Sequence, residues 1–84
     1  MNNIIARKID LTADFSPLAT KRTIATITIT SPLSNSDVIY LRGDTAQEVP
    51  LSPGEHHTLR RVNLADIQVK GSVGDILTLV GGTW

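Results

Sequence analysis

One stretch of this sequence alternates apolar and threonine side chains with the period of a β-strand. Within residues 23–31, Ala25, Ile27 and Ile29 share one parity, and threonines occupy the positions between them. Because successive side chains of an extended chain point to opposite faces, this segment predicts a strand with one buried and one exposed face. β-Branched residues fill most of it, which favours a pleated strand over a helix. A half-buried strand needs a sheet around it, so the rest of the chain must supply further strands.

Short apolar segments separated by glycine and proline turns follow this strand. Further strands are predicted at residues 37–42, 47–51, 56–62, 67–70 and 76–80. Pro50 favours an edge position, and the change of parity between Leu59 and Val62 indicates a bulge or a strand end. Residues 52–55 predict a tight turn in which Gly54 takes a positive φ. Since no window supports more than one helical turn, the sequence predicts an all-β fold, a small antiparallel β-sandwich or barrel of about six to seven short strands.

The first twenty residues differ in character from the rest. Residues 3–11 alternate as a strand does, whereas residues 12–20 have the composition of a connector. The chain therefore divides into an N-terminal strand or arm with its connector, residues 1–20, and a β-sandwich domain, residues 21–84. The sequence leaves open whether the leading strand joins its own sheet or a neighbouring subunit.

The size of the chain favours association. A domain of 84 residues buries only about 60–65 % of the surface that its unfolded chain exposes. Cysteine is absent, which removes disulfides and the commonest soft metal ligand as sources of stability. We therefore expect a homo-oligomer that also packs on other proteins.

The balance of basic and acidic residues disfavours nucleic acids and anionic membranes as partners. Eight basic and eight acidic residues cancel, so nothing attracts the chain generally to nucleic acid or to an anionic membrane. No segment approaches the roughly 20 apolar residues of a membrane span. Partners other than nucleic acids and membranes are expected.

The order of turns and strands between residues 35 and 82 carries a resemblance. The motifs are an apolar strand followed by a turn at 38–44, LSPGE at 51–55, LADIQVKG at 64–71 and VGD at 73–75 before a closing apolar strand. This order resembles the small β-sandwich proteins encoded among the structural genes of tailed bacteriophages. The resemblance implies a virion component that contacts itself and a major capsid or tail protein: a capsid decoration protein, or a neck, tail or fibre subunit. The resemblance implies no catalytic residues.

A receptor- or carbohydrate-binding β-module of a phage fibre is the alternative. Sugar sites usually present exposed aromatic side chains, and this chain has only Phe15, Tyr40 and Trp84. Its composition therefore favours the structural role.

The sequence contains no constellation that would support catalysis. His56 and His57 are adjacent, so on a strand they point to opposite faces and are poorly placed to chelate one ion. No serine lies in a nucleophile elbow, no glycine loop cradles phosphate, and no pair of carboxylates is evidently held together. We predict a chain that is not an enzyme and needs neither cofactor nor metal.

The candidate interface residues are three aromatics and one arginine. Aromatic and arginine side chains are enriched where proteins meet, which singles out Phe15, Tyr40, Arg61 and Trp84. Trp84 is the last residue, and the sequence supports equally that it folds back on its own domain or anchors in a neighbour.

Residues 42–44 spell Arg-Gly-Asp, an integrin-recognition tripeptide. The same three residues also form an ordinary strand end followed by a turn, since glycine and aspartate are common turn residues. The turn interpretation is favoured.

Overall fold

A computed structural model describes residues 3–83 as an all-β sandwich. Its strands are β1 (Asn3–Asp10), β2 (Ser16–Pro17), β3 (Ile24–Thr30), β4 (Ile39–Arg42), β5 (Val49–Leu51), β6 (His56–Asn63), β7 (Gln68–Lys70) and β8 (Ile76–Thr83). One 3-10 turn, Leu64–Asp66, joins β6 to β7. The predicted fold class is confirmed. The structure has eight strands rather than six to seven, because two residues inside the predicted connector pair as β2.

The strands form two antiparallel sheets. Sheet A has the order β1-β8-β3-β6, and sheet B has the order β2-β7-β4-β5. The leading strand belongs to its own sheet, since β1 pairs with β8 from Asn3 opposite Thr83 to Asp10 opposite Ile76. The question that the sequence left open is thereby answered for residues 3–10.

The core lies between the inner faces of the two sheets. The predicted buried parity of β3 is confirmed, because Ala25, Ile27 and Ile29 are buried while the threonines between them are half-exposed. The remaining fully buried large side chains come from both sheets and the 3-10 turn: Ile39, Leu51, Leu64, Val69, Leu77 and Leu79. One apolar layer therefore holds the sheets together.

The parity change in β6 is a bulge. Ala25 lies opposite Val62 and Ile27 lies opposite Leu59, so two residues of β6 face the single residue Thr26. The second of them, Arg61, has a φ of 51°, and its backbone N–H donates to Thr26 Oγ1 at 3.1 Å. The strand continues past this point, which settles the two interpretations of the sequence in favour of the bulge.

Asn35 completes the ladder where β8 begins. Continuing the pairing of β3 with β8 beyond Thr30 and Thr78 would place Pro32 opposite Ile76, and proline has no N–H to donate. The side chain of Asn35 takes this role: Nδ2 donates to the Ile76 carbonyl at 2.7 Å, and Oδ1 accepts from the Ile76 N–H at 2.9 Å. Nδ2 also donates to Ser31 Oγ at 3.1 Å. Asn35 is 8 % exposed, so these bonds lie out of reach of most solvent.

Asp75 ties the same corner to the next loop. Its carboxylate accepts from the Ser36 N–H at 2.9 Å, the Asp37 N–H at 3.1 Å and the Ser36 hydroxyl at 3.1 Å. The residue is 7 % exposed. The backbone bond from Ser36 is the main reason why the pKa of Asp75 lies below its ordinary value, and the bonds from Asp37 and the Ser36 hydroxyl add to it.

This pKa shift predicts an acid-sensitive corner. A carboxyl group whose pKa is lower in the folded than in the unfolded chain adds stability above the unfolded value, and that stability is lost as pH falls through the folded value. We expect the urea midpoint of the wild-type protein to fall from about pH 5 downward, where an unfolded Asp begins to protonate. Asp75→Asn should have a lower midpoint at neutral pH and a flatter acid profile. Asp14→Asn, at an exposed carboxylate, is the control, and an Asp75→Asn profile parallel to that control would contradict the assignment.

Candidate functional site

The outer face of sheet B gathers two of the predicted interface residues. Tyr40 on β4 lies directly opposite Lys70 on β7, and Phe15 immediately precedes β2, the strand on the other side of β7. Because Ile39 and Val69 point into the core, their neighbours Tyr40 and Lys70 point outward. Phe15, Tyr40, Arg42 and Lys70 together are called the aromatic–cationic face below.

Cations lie over the aromatic rings of this face. The Arg42 guanidinium carbon is 3.9 Å from the centre of the Phe15 ring, and Arg42 Nε donates to Gln68 Oε1 at 2.5 Å. Lys70 Nζ is 4.9 Å from the Phe15 centroid and 5.7 Å from the Tyr40 centroid. Each such contact is worth about 0.5–1 kcal/mol at an exposed site. These contacts restrict the side chains, which lowers the entropy lost when a partner binds.

The charge of the aromatic–cationic face is positive. Lys70 Nζ is 2.9 Å from Glu48 Oε1, an exposed ion pair of the kind that contributes at most about 1 kcal/mol. Within residues 3–83, no carboxylate pairs with Arg42. The face therefore combines apolar ring surface with one guanidinium that is free of an acidic partner, a combination suited to a protein surface bearing carboxylates.

Of the other two interface candidates, Arg61 is not part of this face. Arg61 lies in the bulge of β6, on sheet A, where it lines a shallow pocket of about 270 Å³ with Ile24, Thr26 and Gly82. Trp84 lies outside the residues that the structure describes. The structure thus brings Phe15 and Tyr40 together and keeps Arg61 apart from them.

Sequence reasoning missed Arg42 and Lys70 as members of the site. Arg42 shares parity with Tyr40 on its strand, and that signal was available from the sequence. The position of Phe15 beside both cations was not, because it depends on β2 pairing with β7.

The Arg-Gly-Asp tripeptide does not form one exposed unit. The Arg42 side chain is half-buried over Phe15 and bonded to Gln68, whereas Gly43 and Asp44 lie in the exposed segment after β4. The arginine is therefore held in a structural contact and is not presented at a loop tip.

An apolar groove opens between the edges of the two sheets. It has a volume of about 310 Å³ and lies between β6 on one side and β4 and β5 on the other. Its apolar lining residues are Ile29, Leu41, Val49, Leu59 and Ile67. The sandwich is thus incompletely closed on this side.

Residues 3–83 contain neither a cluster of metal ligands nor a membrane-spanning helix. His56 and His57 are both exposed on β6, and no three His, Cys, Asp or Glu side chains of these residues are grouped so that they could hold a metal ion. Over the same residues, no helix has the length and apolar character needed to cross a bilayer.

The fold and this face define the chain as a small two-sheet β-sandwich with an ordered aromatic and cationic outer surface. No protein-family profile, curated protein sequence or solved structure matches it.

Proposed function

We propose that the chain is a non-enzymatic virion structural protein of a tailed bacteriophage. It packs on or between capsid or tail subunits, with a capsid decoration or cement protein as the favoured form, and it associates with further copies of itself. The observation that carries this proposal is the aromatic–cationic face, because rigid aromatic and arginine side chains are the groups that anchor protein interfaces. The resemblance in the order of strands and turns supplies the virion context.

Exposed apolar surface supports a docking role. Ile4 is 87 % exposed, Leu33 and Val73 are similarly exposed, and the groove between the sheet edges is lined mainly by aliphatic side chains. Scattered exposed apolar residues are ordinary, but here they accompany an unfilled groove on a domain of 84 residues. A particle lattice would bury this surface, and repetition over many equivalent positions would raise the overall affinity.

Tyr40→Ala is expected to lower occupancy on purified capsids or tails of a phage that encodes the chain. We expect a loss of at least about tenfold in apparent affinity, since truncating a central aromatic anchor commonly costs more than about 1.4 kcal/mol. Occupancy would be measured by co-sedimentation with the particles, and circular dichroism would confirm that the variant folds. Ser34→Ala, at an exposed position in the segment between β3 and β4, is the matched control.

Two outcomes of this experiment would count against the proposal. Unchanged occupancy of both Tyr40→Ala and Phe15→Ala would rule out the aromatic–cationic face as the docking surface. If the wild-type chain bound none of the purified particles, the virion role itself would be ruled out. A chain that ends at Thr83 tests, in the same assay, the alternative in which Trp84 anchors in a neighbouring subunit, and undiminished occupancy would rule that alternative out.

A carbohydrate-binding module is the second candidate, and the presence of Phe15 and Tyr40 on one face, on either side of Lys70, is the observation that favours it. The position of Arg42 over the Phe15 ring weighs against it, because a sugar needs a free ring face on which to stack. Tyr40, 38 % exposed, is the better candidate for such a contact. A glycan-array signal abolished by Tyr40→Ala would reverse the order of the two proposals.

A further inference from the structure

The shallow pocket on sheet A lies on the outer face of the sheet, beside the end of β8. It is lined by Ile24, Ala25 and Thr26 of β3, Arg61 of β6 and Gly82 of β8. Gly82 lies directly opposite Thr26 and has no side chain to fill the space beside it. The resulting volume of about 270 Å³ has room for one aromatic side chain.

The bulge of β6 holds Arg61 at this pocket in an unusual backbone conformation. Its φ of 51° lies in the left-handed region, which residues other than glycine rarely adopt. Glycine would fit the position without strain, so an arginine here has a cost in backbone energy. Backbone strain of this kind is concentrated at binding sites. The bulge therefore directs attention to what the Arg61 side chain could contact.

Trp84, which lies outside the described residues, is the next residue after the end of β8. The ladder between β8 and β3 places Gly82 opposite Thr26, and continuing it by two residues would place residue 84 opposite Ile24. Side chains two positions apart on a strand share a face, so the indole would leave the backbone on the same face as the pocket. Trp84 is thus within reach of the pocket through a strand that is already in place.

The lining of the pocket suits an indole. Ile24 is 41 % exposed and offers an apolar wall that an aromatic ring would cover. A guanidinium is attracted to the face of an aromatic ring, and tryptophan gives the strongest such contact. Ile24 and Arg61 therefore provide both of the contacts that an indole can make with its ring faces.

We propose that this pocket is an aromatic-binding site whose occupant is Trp84 of the same chain. The indole lies against Ile24 and beside Gly82, and the Arg61 guanidinium packs on its face. Of the two interpretations of Trp84 that the sequence supports equally, this one has the side chain fold back on its own domain. The inference is independent of the virion role, because it concerns a contact within one chain.

The chain has a single tryptophan, so its fluorescence reports on this contact alone. We expect the full chain to show blue-shifted emission and weaker acrylamide quenching than N-acetyltryptophanamide, the solvated reference, and neither should change on dilution. Arg61→Gly removes the guanidinium and fits the positive φ, so the bulge is kept while the emission shifts to the red and quenching increases. Arg60→Ala, which makes the same charge change beside the pocket lining, is the control and should change neither.

Ile24→Ala provides a second variant that removes the apolar wall. It should also shift the emission to the red and increase quenching, and circular dichroism would confirm that both pocket variants fold. Ile4→Ala is its matched control, because Ile4 is also exposed and lies opposite Gly82 on the β1 side.

Four results would overturn this site. Wild-type emission equal to that of the reference would show that Trp84 is solvated. A blue-shifted emission that both Arg61→Gly and Ile24→Ala leave unchanged would place the indole elsewhere. Exposure of the indole by Ile4→Ala and not by Ile24→Ala would place it toward β1. Exposure on dilution would show that a second copy, and not the same chain, buries Trp84.

Discussion

Alanine in place of Gly81 is expected to lower the free energy of unfolding by about 3 kcal/mol, the upper end of the usual cost of overpacking. Gly81 lies in β8, opposite Ile5 of β1 and Ile27 of β3. A Cβ at this position would collide with the Thr26 carbonyl oxygen and would lie 2.7 Å from Ile27 Cα. Both obstacles are backbone atoms of β3, which is paired on both sides and cannot move aside without loosening two ladders.

This expected loss is a large part of the stability of so small a domain. At roughly 0.05–0.15 kcal/mol per residue, a chain of 84 residues has about 4–12 kcal/mol in total. Urea unfolding followed by circular dichroism measures the loss. Gly43→Ala is the control, because a Cβ there meets no atom within 4 Å and the residue has no positive φ. Equal midpoints for the two variants would show that β3 can shift to accept the methyl group.

Asn35→Ala is expected to cost about 2 kcal/mol, because it leaves a half-buried N–H and a half-buried C=O of Ile76 without their partners. Removal of the amide also takes a donor from Ser31, which is fully buried. The midpoint of urea unfolding should fall accordingly, and amide exchange at Ile76 should become faster than in the wild-type protein.

Ser34→Ala is the control for this variant, since Ser34 is the exposed neighbour of Asn35. If both variants unfold at the same urea concentration, water replaces the amide at no cost in stability. Asn35 then does not stabilise the start of β8.

Local pattern predicted seven of the eight strands and the turn at residues 52–55. The alternation along β3 predicted its buried face, since strand geometry places every second side chain on one side whatever the neighbouring strands are. The turn at residues 52–55 was predicted from proline and glycine alone, and the structure confirms it with a φ of 91° at Gly54 and a bond from the Glu55 N–H to the Ser52 carbonyl. The parity change before Val62 indicated a bulge or a strand end, and the structure shows a bulge.

Pairing between distant segments decided the rest. The sequence could not show that β2 exists, because two residues carry no periodic signal and their pairing with β7 joins positions about 50 residues apart. Nor could it show that Asn35 replaces a missing proline N–H, or that Arg42 covers Phe15, since each contact depends on which strands become neighbours. By itself the sequence determined the extended character of the other seven strands and which face of β3 is buried, because those properties follow from local backbone geometry. The tertiary structure alone decided which side chains meet in a site, because strand order and register arise from long-range packing of the core.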